Sequence, residues 1–211
     1  MDEITFRDAV TSEDALRAIV GRPSELAIRK EMSFLDAHCR AFIARSPFVL
    51  IATAGMTGRS DVSPKGDPPG FVQVLDEHRL VIPDRPGNKR LDGMRNLLEN
   101  PHVGLLFLIP GLEETLRVNG RAWIIRDEEI LARCSVQGKR PTLALGVYVE
   151  ECFIHCAKAF KRSHLWQPDR WPDRAGLASP SEMLVDQARL KDMSVSQMDR
   201  LLQESYTKNL Y

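Results

Sequence analysis

Asn88, Lys89 and Arg90 place two cations directly beside a residue suited to cap a helix. A helical pattern follows, with Leu91, Met94, Leu97 and Leu98 on one face, and Pro101 ends it. Asn88 is therefore expected as the N-cap, with Lys89 and Arg90 in the first turn. Cations there oppose the helix dipole, where Asp or Glu would be favoured. Free N–H groups beside Lys and Arg suit a bound anion, most simply a phosphate. The competing reading is a solvated basic turn.

A second dense segment is Glu151–Trp166 (ECFIHCAKAFKRSHLW). Cys152, His155 and Cys156 have the chemistry of metal ligands. However, no paired CxxC or HxxxH supplies a fourth ligand, so no metal site is expected. Lys158, Lys161 and Arg162 form a second basic cluster beside Trp166, with a plain surface helix as the competing reading. His38 falls in a helical stretch and is given no role.

Composition narrows the setting for these residues. The 211 residues suffice for one sizeable domain. The formal net charge is zero, which argues against a nucleic-acid binder. No segment is long and apolar enough to span a membrane. The opening stretch MDEITFRDAV is acidic and lacks the basic-then-apolar order of a secretory leader, so a cytoplasmic protein is expected. The four cysteines then read as free thiols.

The elements that must position the two basic clusters are mostly strands. Residues 11–45 read as helical: Thr11 or Ser12 caps a helix through Val20, Ser24 starts another, and the spacing of Met32, Leu35, Cys39 and Phe42 predicts a third. Pro47–Gly55, Asp61–Lys65, Phe71–Leu75 and Leu80–Pro83 read as strands. Val103–Ile109 is continuously apolar, as in a strand covered on both faces. Leu116–Ile125 and Thr142–Val149 alternate, with a short helix from Asp127 to Cys134 between them. Ser179 and Ser194 each open a capping-box helix in the tail, read as packing or dimer contact. Six or seven strands joined mostly by short turns suit a closed antiparallel barrel better than a doubly wound parallel sheet.

Taken in order, these segments resemble the pyridoxamine-5′-phosphate-oxidase-like FMN-binding family. The resemblance rests on a strand ending in Lys65, two further strands, the basic Asn88-Lys89 turn, Asn100-Pro101-His102 and an apolar strand. Leu116-Arg117-Val118-Asn119-Gly120-Arg121-Ala122 is similar to that family's next strand. The match runs from about Phe48 to Trp166 and is nearest to a bacterial subgroup with DVSPKGDPPGF, PDRPGNKR and HCAKAFKRS-type segments.

The resemblance implies a mainly β (α+β) fold: an FMN-binding split β-barrel of Greek-key antiparallel type with peripheral N- and C-terminal helices. In residue ranges, a helical extension (1–45), a barrel core (46–166) and a loop with a helical tail (167–211) make a single domain. It implies a homodimer with FMN at the subunit interface. Val62, Ser63 and Lys65 would run along the isoalloxazine and ribityl chain, Ile82 and Pro83 would line the flavin, and Asn88, Lys89 and Arg90 would hold its phosphate. Arg117, Lys158 and Arg162 are implied polar contacts, with Lys158 or Arg162 near the ring edge where reduction builds negative charge. The implied activity is that of an FMN-dependent oxidoreductase with a small-molecule substrate or electron donor. No catalytic acid or base is assigned. The alternatives are a non-catalytic flavin-binding or flavin-sensing protein, or the same barrel holding a deazaflavin or haem. Lys65 matches a substrate-side lysine of the true oxidase, but the Arg-Leu-His pattern near that enzyme's end is missing. Pyridoxamine phosphate is therefore not the expected substrate.

Overall fold

The computed structural model describes Phe6 and residues 8–211. The acidic opening stretch and the start of the 1–45 extension fall largely outside them. Three helices precede the sheet: α1 (Glu13–Val20), α2 (Glu25–Arg29) and α3 (Ala37–Arg45). Side-chain oxygens of Ser12, Ser24 and Asp36 cap them in turn. The spacing from Met32 predicted an earlier start for α3. Instead the Asp36 carboxylate accepts the Cys39 N–H at 2.7 Å and fixes the helix boundary there. Met32 lies outside the helix and exchanges two backbone hydrogen bonds with Cys152, at 3.0 and 2.7 Å.

Seven strands follow: β1 (Phe48–Ala54), β2 (Ser60–Gly66), β3 (Gln73–Val74), β4 (Arg79–Pro83), β5 (His102–Leu108), β6 (Thr115–Ile125) and β7 (Ala144–His155). Between them lie α4 (Asp92–Glu99) and α5 (Glu128–Arg133). After them come α6 (Lys158–Ser163), α7 (Pro180–Gln187) and α8 (Val195–Lys208). The strands form one sheet in the order β2-β1-β5-β6-β7-β4-β3. Every ladder is antiparallel. This is the split barrel, and its ladder does not close as the strand pattern alone suggested. Among the described residues β2 and β3 stay unpaired along their outer edges. Pro64 in β2 lacks a backbone donor, as suits an edge strand. β3 is two residues long where Phe71–Leu75 reads as five.

The inner face of the sheet buries Val49, Ile51, Leu105, Phe107, Leu116 and Val118 against Leu35 just before α3, Cys39 and Ile43 of α3, and Met94 and Leu97 of α4. The alternation of period two along the strands and the helical spacing of α3 put these residues on one side. The apolar run in β5 covers both faces unequally. Val103, Leu105 and Phe107 are buried, whereas Gly104, Leu106 and Leu108 are half-covered on the outer face. In register, Leu50 of β1 lies between Pro64 and Leu106, and Ala52 lies between Val62 and Gly104. The outer face therefore carries a continuous apolar surface. On that side, farther along the sheet, α5 covers a smaller cluster of Val81, Leu131, Cys134 and Ala144.

β6 and β7 shift register once. Asn119 opposes Glu151 and Gly120 opposes Val149, which leaves Glu150 as the extra residue of a bulge. A Cβ on Gly120 would sit 2.0 Å from the Tyr148 carbonyl oxygen, so only glycine fits. In the tail, Ser194 and Gln197 complete a reciprocal capping box at α8, while Ser179 caps α7 through the Glu182 N–H. α7 and α8 pack on each other, with the Ser181 hydroxyl bonding Asp199 at 3.2 Å. Among the described residues no helix is long and apolar enough to cross a membrane.

Candidate functional site

A cavity of about 800 Å³ lies between the edge strand β2, the loop joining β4 to α4, and the turn that enters β7. That size is within the range of small-molecule and cofactor sites. Ile51, Met94, Leu97, Leu143 and Leu145 supply apolar wall, while Asp61, Ser63 and Lys65 face inward from β2. Asn96 of α4 donates to Thr53 at 3.1 Å and to Asp61 at 2.8 Å, which pins this wall in place.

Two ion pairs cross the split in the barrel. Lys65 Nζ meets Asp84 Oδ1 at 3.0 Å, and Arg85 Nε meets Asp67 Oδ2 at 2.6 Å. The Asp67 side chain is only 1 % exposed. Its carboxylate also accepts the Tyr211 hydroxyl at 2.5 Å. That hydrogen bond and burial both push the Tyr211 phenol above its ordinary pKa.

The loop before α4 departs from the predicted geometry. α4 starts at Asp92, Leu91 stands at the N-cap position, and no side chain caps it. Asn88 is not the N-cap, and Lys89 and Arg90 precede the helix rather than occupy its first turn. The reason is backbone conformation: Lys89 and Leu91 have φ of 59° and 60°, in the left-handed region, which prevents an earlier start. Asp92 then provides the acidic first turn that the dipole favours. Asn88 Oδ1 instead accepts the Arg90 N–H at 3.0 Å and folds the loop on itself. Two such non-glycine residues within three positions mark a strained loop, a feature that concentrates at functional sites.

Charge pairing in the cavity is uneven. Lys65, Arg85 and Arg90 each have a carboxylate partner, Asp92 serving Arg90 at 2.8 Å. Among the described residues, Lys89, Lys139 and Arg140 line the same cavity with no carboxylate paired to them. Lys139 Nζ donates instead to the Tyr211 carbonyl oxygen at 2.7 Å.

Of the residues expected at the site, Val62, Ser63, Lys65, Asn88, Lys89 and Arg90 all line this cavity. Ile82 belongs to the hydrophobic core and Pro83 is fully buried beside it; neither lines the cavity. Arg117 lies on the outer face of β6, 3.7 Å from Glu151 and 5.2 Å from the Phe153 ring centre. Lys158 and Arg162 are exposed on α6. One chain does not bring these three to the cavity. Asp84, Arg85, Lys139, Arg140 and Tyr211 join the site without having been expected there. The basic pair in the Gly138-Lys139-Arg140-Pro141 turn was a usable signal; Tyr211, far off in sequence, offered none.

The cysteines stand apart from the cavity. Cys152 and Cys39 are buried with their sulfurs 3.3 Å apart. The hydrogen bond to Cys39, reinforced by burial, raises the Cys152 thiol far above its ordinary pKa. Cys134 is also raised, by burial, and Cys156 is exposed. Among the described residues no group of three His, Cys, Asp or Glu side chains is placed to hold a metal ion.

A family model described as pyridoxamine 5′-phosphate oxidase matches residues 35–156, more than half of the chain. No curated protein matches the chain. Among solved structures, a candidate pyridoxamine 5′-phosphate oxidase from Lactobacillus delbrueckii is 20% identical, with a TM-score of 0.47 over 58% of this chain and 95% of that one. An FMN-binding protein from Syntrophomonas wolfei is 12% identical, with a TM-score of 0.42 over 68% and 96%. HutZ, a heme storage protein from Vibrio cholerae, is 19% identical, with a TM-score of 0.39 over 57% and 93%.

Proposed function

We propose a function from one premise: the chain belongs to the pyridoxamine 5′-phosphate oxidase family. The protein is an FMN-dependent oxidoreductase acting on a small molecule. The observation that carries this reading is Lys89, a cation without a carboxylate partner among the described residues, standing with Asn88 and Arg90 in one cavity with apolar walls. Such a cavity suits a ligand with a phosphate and a flat apolar ring. Asn88, Lys89 and Arg90 would hold the phosphate, with Val62, Ser63 and Lys65 along the rest of the cofactor. Bound FMN supplies the electron transfer. The chain's own residues bind and orient it, and the apolar wall from Ile51 to Leu145 limits water at the ring.

The working form is a homodimer. Support comes from the apolar outer face of β1, β2 and β5, where Val62 is 66% exposed. A contiguous apolar surface of this kind marks an interaction site. Arg117, Lys158 and Arg162 would then reach the cofactor from the second chain, which accounts for their distance from the cavity of their own.

The test is the absorption spectrum of purified protein after reconstitution with FMN and removal of excess. Retained flavin with altered fluorescence, and weaker retention of riboflavin, is the expected result. A haem or deazaflavin spectrum, or no retained flavin, overturns the reading. Anaerobic bleaching of the flavin by a nicotinamide donor separates an enzyme from a flavin-binding protein; a flavin that no donor reduces supports the latter.

A further inference from the structure

Beyond α8, residues 209–211 turn back to the cavity, and Tyr211 is held there at three points. Its hydroxyl donates to Asp67, whose carboxylate is buried. Its ring centre lies 5.8 Å from the Arg85 guanidinium carbon, within the range of a cation–π contact. Its carbonyl oxygen accepts from Lys139. Leu210 beside it is 59 % exposed, so the short segment is anchored through Tyr211 rather than through general packing. The anchoring groups come from three separate places in the chain: the end of β2, the end of β4 and the turn before β7. They converge on one flat, hydroxylated, oxygen-bearing group.

We propose that Tyr211 is an internal occupant of a substrate subsite, and that this subsite takes a planar hydroxyaromatic carboxylate. Asp67 recognises the phenol hydroxyl, Arg85 the ring face, and Lys139, with Arg140 on the same wall, the carboxylate. Along β2 the subsite lies six residues from Asp61, which bonds α4, about 20 Å of extended chain; through the loop joining β4 to α4 it adjoins the expected phosphate site, Arg85 standing three residues before Asn88. The inference rests on reading the cavity as a joint cofactor and substrate site. Substrate and Tyr211 compete for the same three partners. A site that its tether leaves open a tenth of the time or less shows at least ~10-fold weaker apparent affinity.

The experiment uses the full chain reconstituted with FMN and follows 3-(4-hydroxyphenyl)propionate by titration calorimetry. This probe carries phenol, ring and carboxylate at the spacing that tyrosine gives them. Tyr211→Ala should bind the probe at least ~10-fold more tightly than the parent chain. Tyr211→Phe, which keeps the ring but loses the Asp67 bond, should fall between them. Replacing Lys139 by alanine in the Tyr211→Ala background, or using 3-phenylpropionate as the probe, should cancel most of the gain. Equal probe affinity in the parent and Tyr211→Ala chains overturns the proposal, as does a gain that persists in the double variant. Flavin retention is read from the same samples by absorbance. Loss of flavin from every chain would count against the FMN assignment alone, because probe binding is measured independently as heat.

Discussion

Lys65 on β2 and Asp84 just past β4 pair at 3.0 Å across a gap that the sheet's hydrogen bonds leave open. The next pair along, Asp67 with Arg85, reverses the polarity. These crossed pairs hold the mouth of the split at a fixed width where no ladder does so. Both are more sheltered than a surface ion pair, with Lys65 30 % and Arg85 15 % exposed. The gap that they brace is the candidate cofactor cavity.

Lys89→Ala should weaken FMN binding roughly tenfold to a hundredfold, because a hydrogen bond to a charged group contributes on the order of 1.5–3 kcal/mol. Alanine keeps the Cβ, so the positive φ at this position is no more or less strained than before. Lys191→Ala, an exposed charge in the tail, serves as control. Fluorescence titration with FMN decides; equal affinities would reduce Lys89 to a solvated surface charge.

Light scattering at micromolar concentration should report a dimer, and FMN should stabilise it further through linkage. Leu50→Glu introduces a carboxylate between Pro64 and Leu106 on the outer face. Burying it unpaired costs at least ~3 kcal/mol, a hundredfold or more in the dissociation constant. A variant that stays dimeric with unchanged circular dichroism would move the interface to another face.

Asp36→Ala should destabilise the protein by about 1 kcal/mol at neutral pH, the usual contribution of a helix N-cap. The Cys39 N–H holds the Asp36 carboxyl below the ordinary carboxylate pKa. A lowered folded-state pKa means that the ionised cap contributes fully above the ordinary carboxylate range and is lost as pH falls through the folded value. Thermal melts of both chains should therefore differ at pH 7 and converge under strongly acid conditions. A constant gap across that range would show that the charge is not what caps α3.

Titration of the native protein with a chromogenic disulfide should consume one thiol quickly, that of exposed Cys156, and the other three only after denaturation. Burial and the raised pKa of Cys134 and Cys152 keep the thiolate fraction small. Replacing Cys156 by serine should remove the fast phase; a fast phase that survives would mean that one of the buried thiols is accessible.

Most of the sheet was legible because period-two alternation and turn residues are local signals. β1, β4 and β6 lie within a residue or two of where their sequences place them. What was not legible depends on conformations or contacts that composition does not encode. Lys89 and Leu91 carry no mark of positive φ, so α4 reads as starting at Asn88. β7 reads as ending at Val149 because its alternation changes phase there: Val147 and Val149 point inward, and so does Cys152. Six of the residues expected at the cavity line it, from the inward edge of β2 and the loop before α4, while Ile82 and Pro83 between them are taken up by the core. The others that line it, Lys139, Arg140 and Tyr211, arrive only when the chain folds back.

The extra residue Glu150 uncouples length from facing at this point of the chain. Its side chain bonds Arg121 at the surface, so many substitutions there cost little. Removing it would leave a regular ladder, with Val149 opposite Gly120, Glu151 opposite Asn119 and Cys152 opposite Val118 as before. Every later residue of β7 would keep its face, and Cys152 its pairing with Met32. What a deletion would take away is the local bend and twist that a bulge gives its strand.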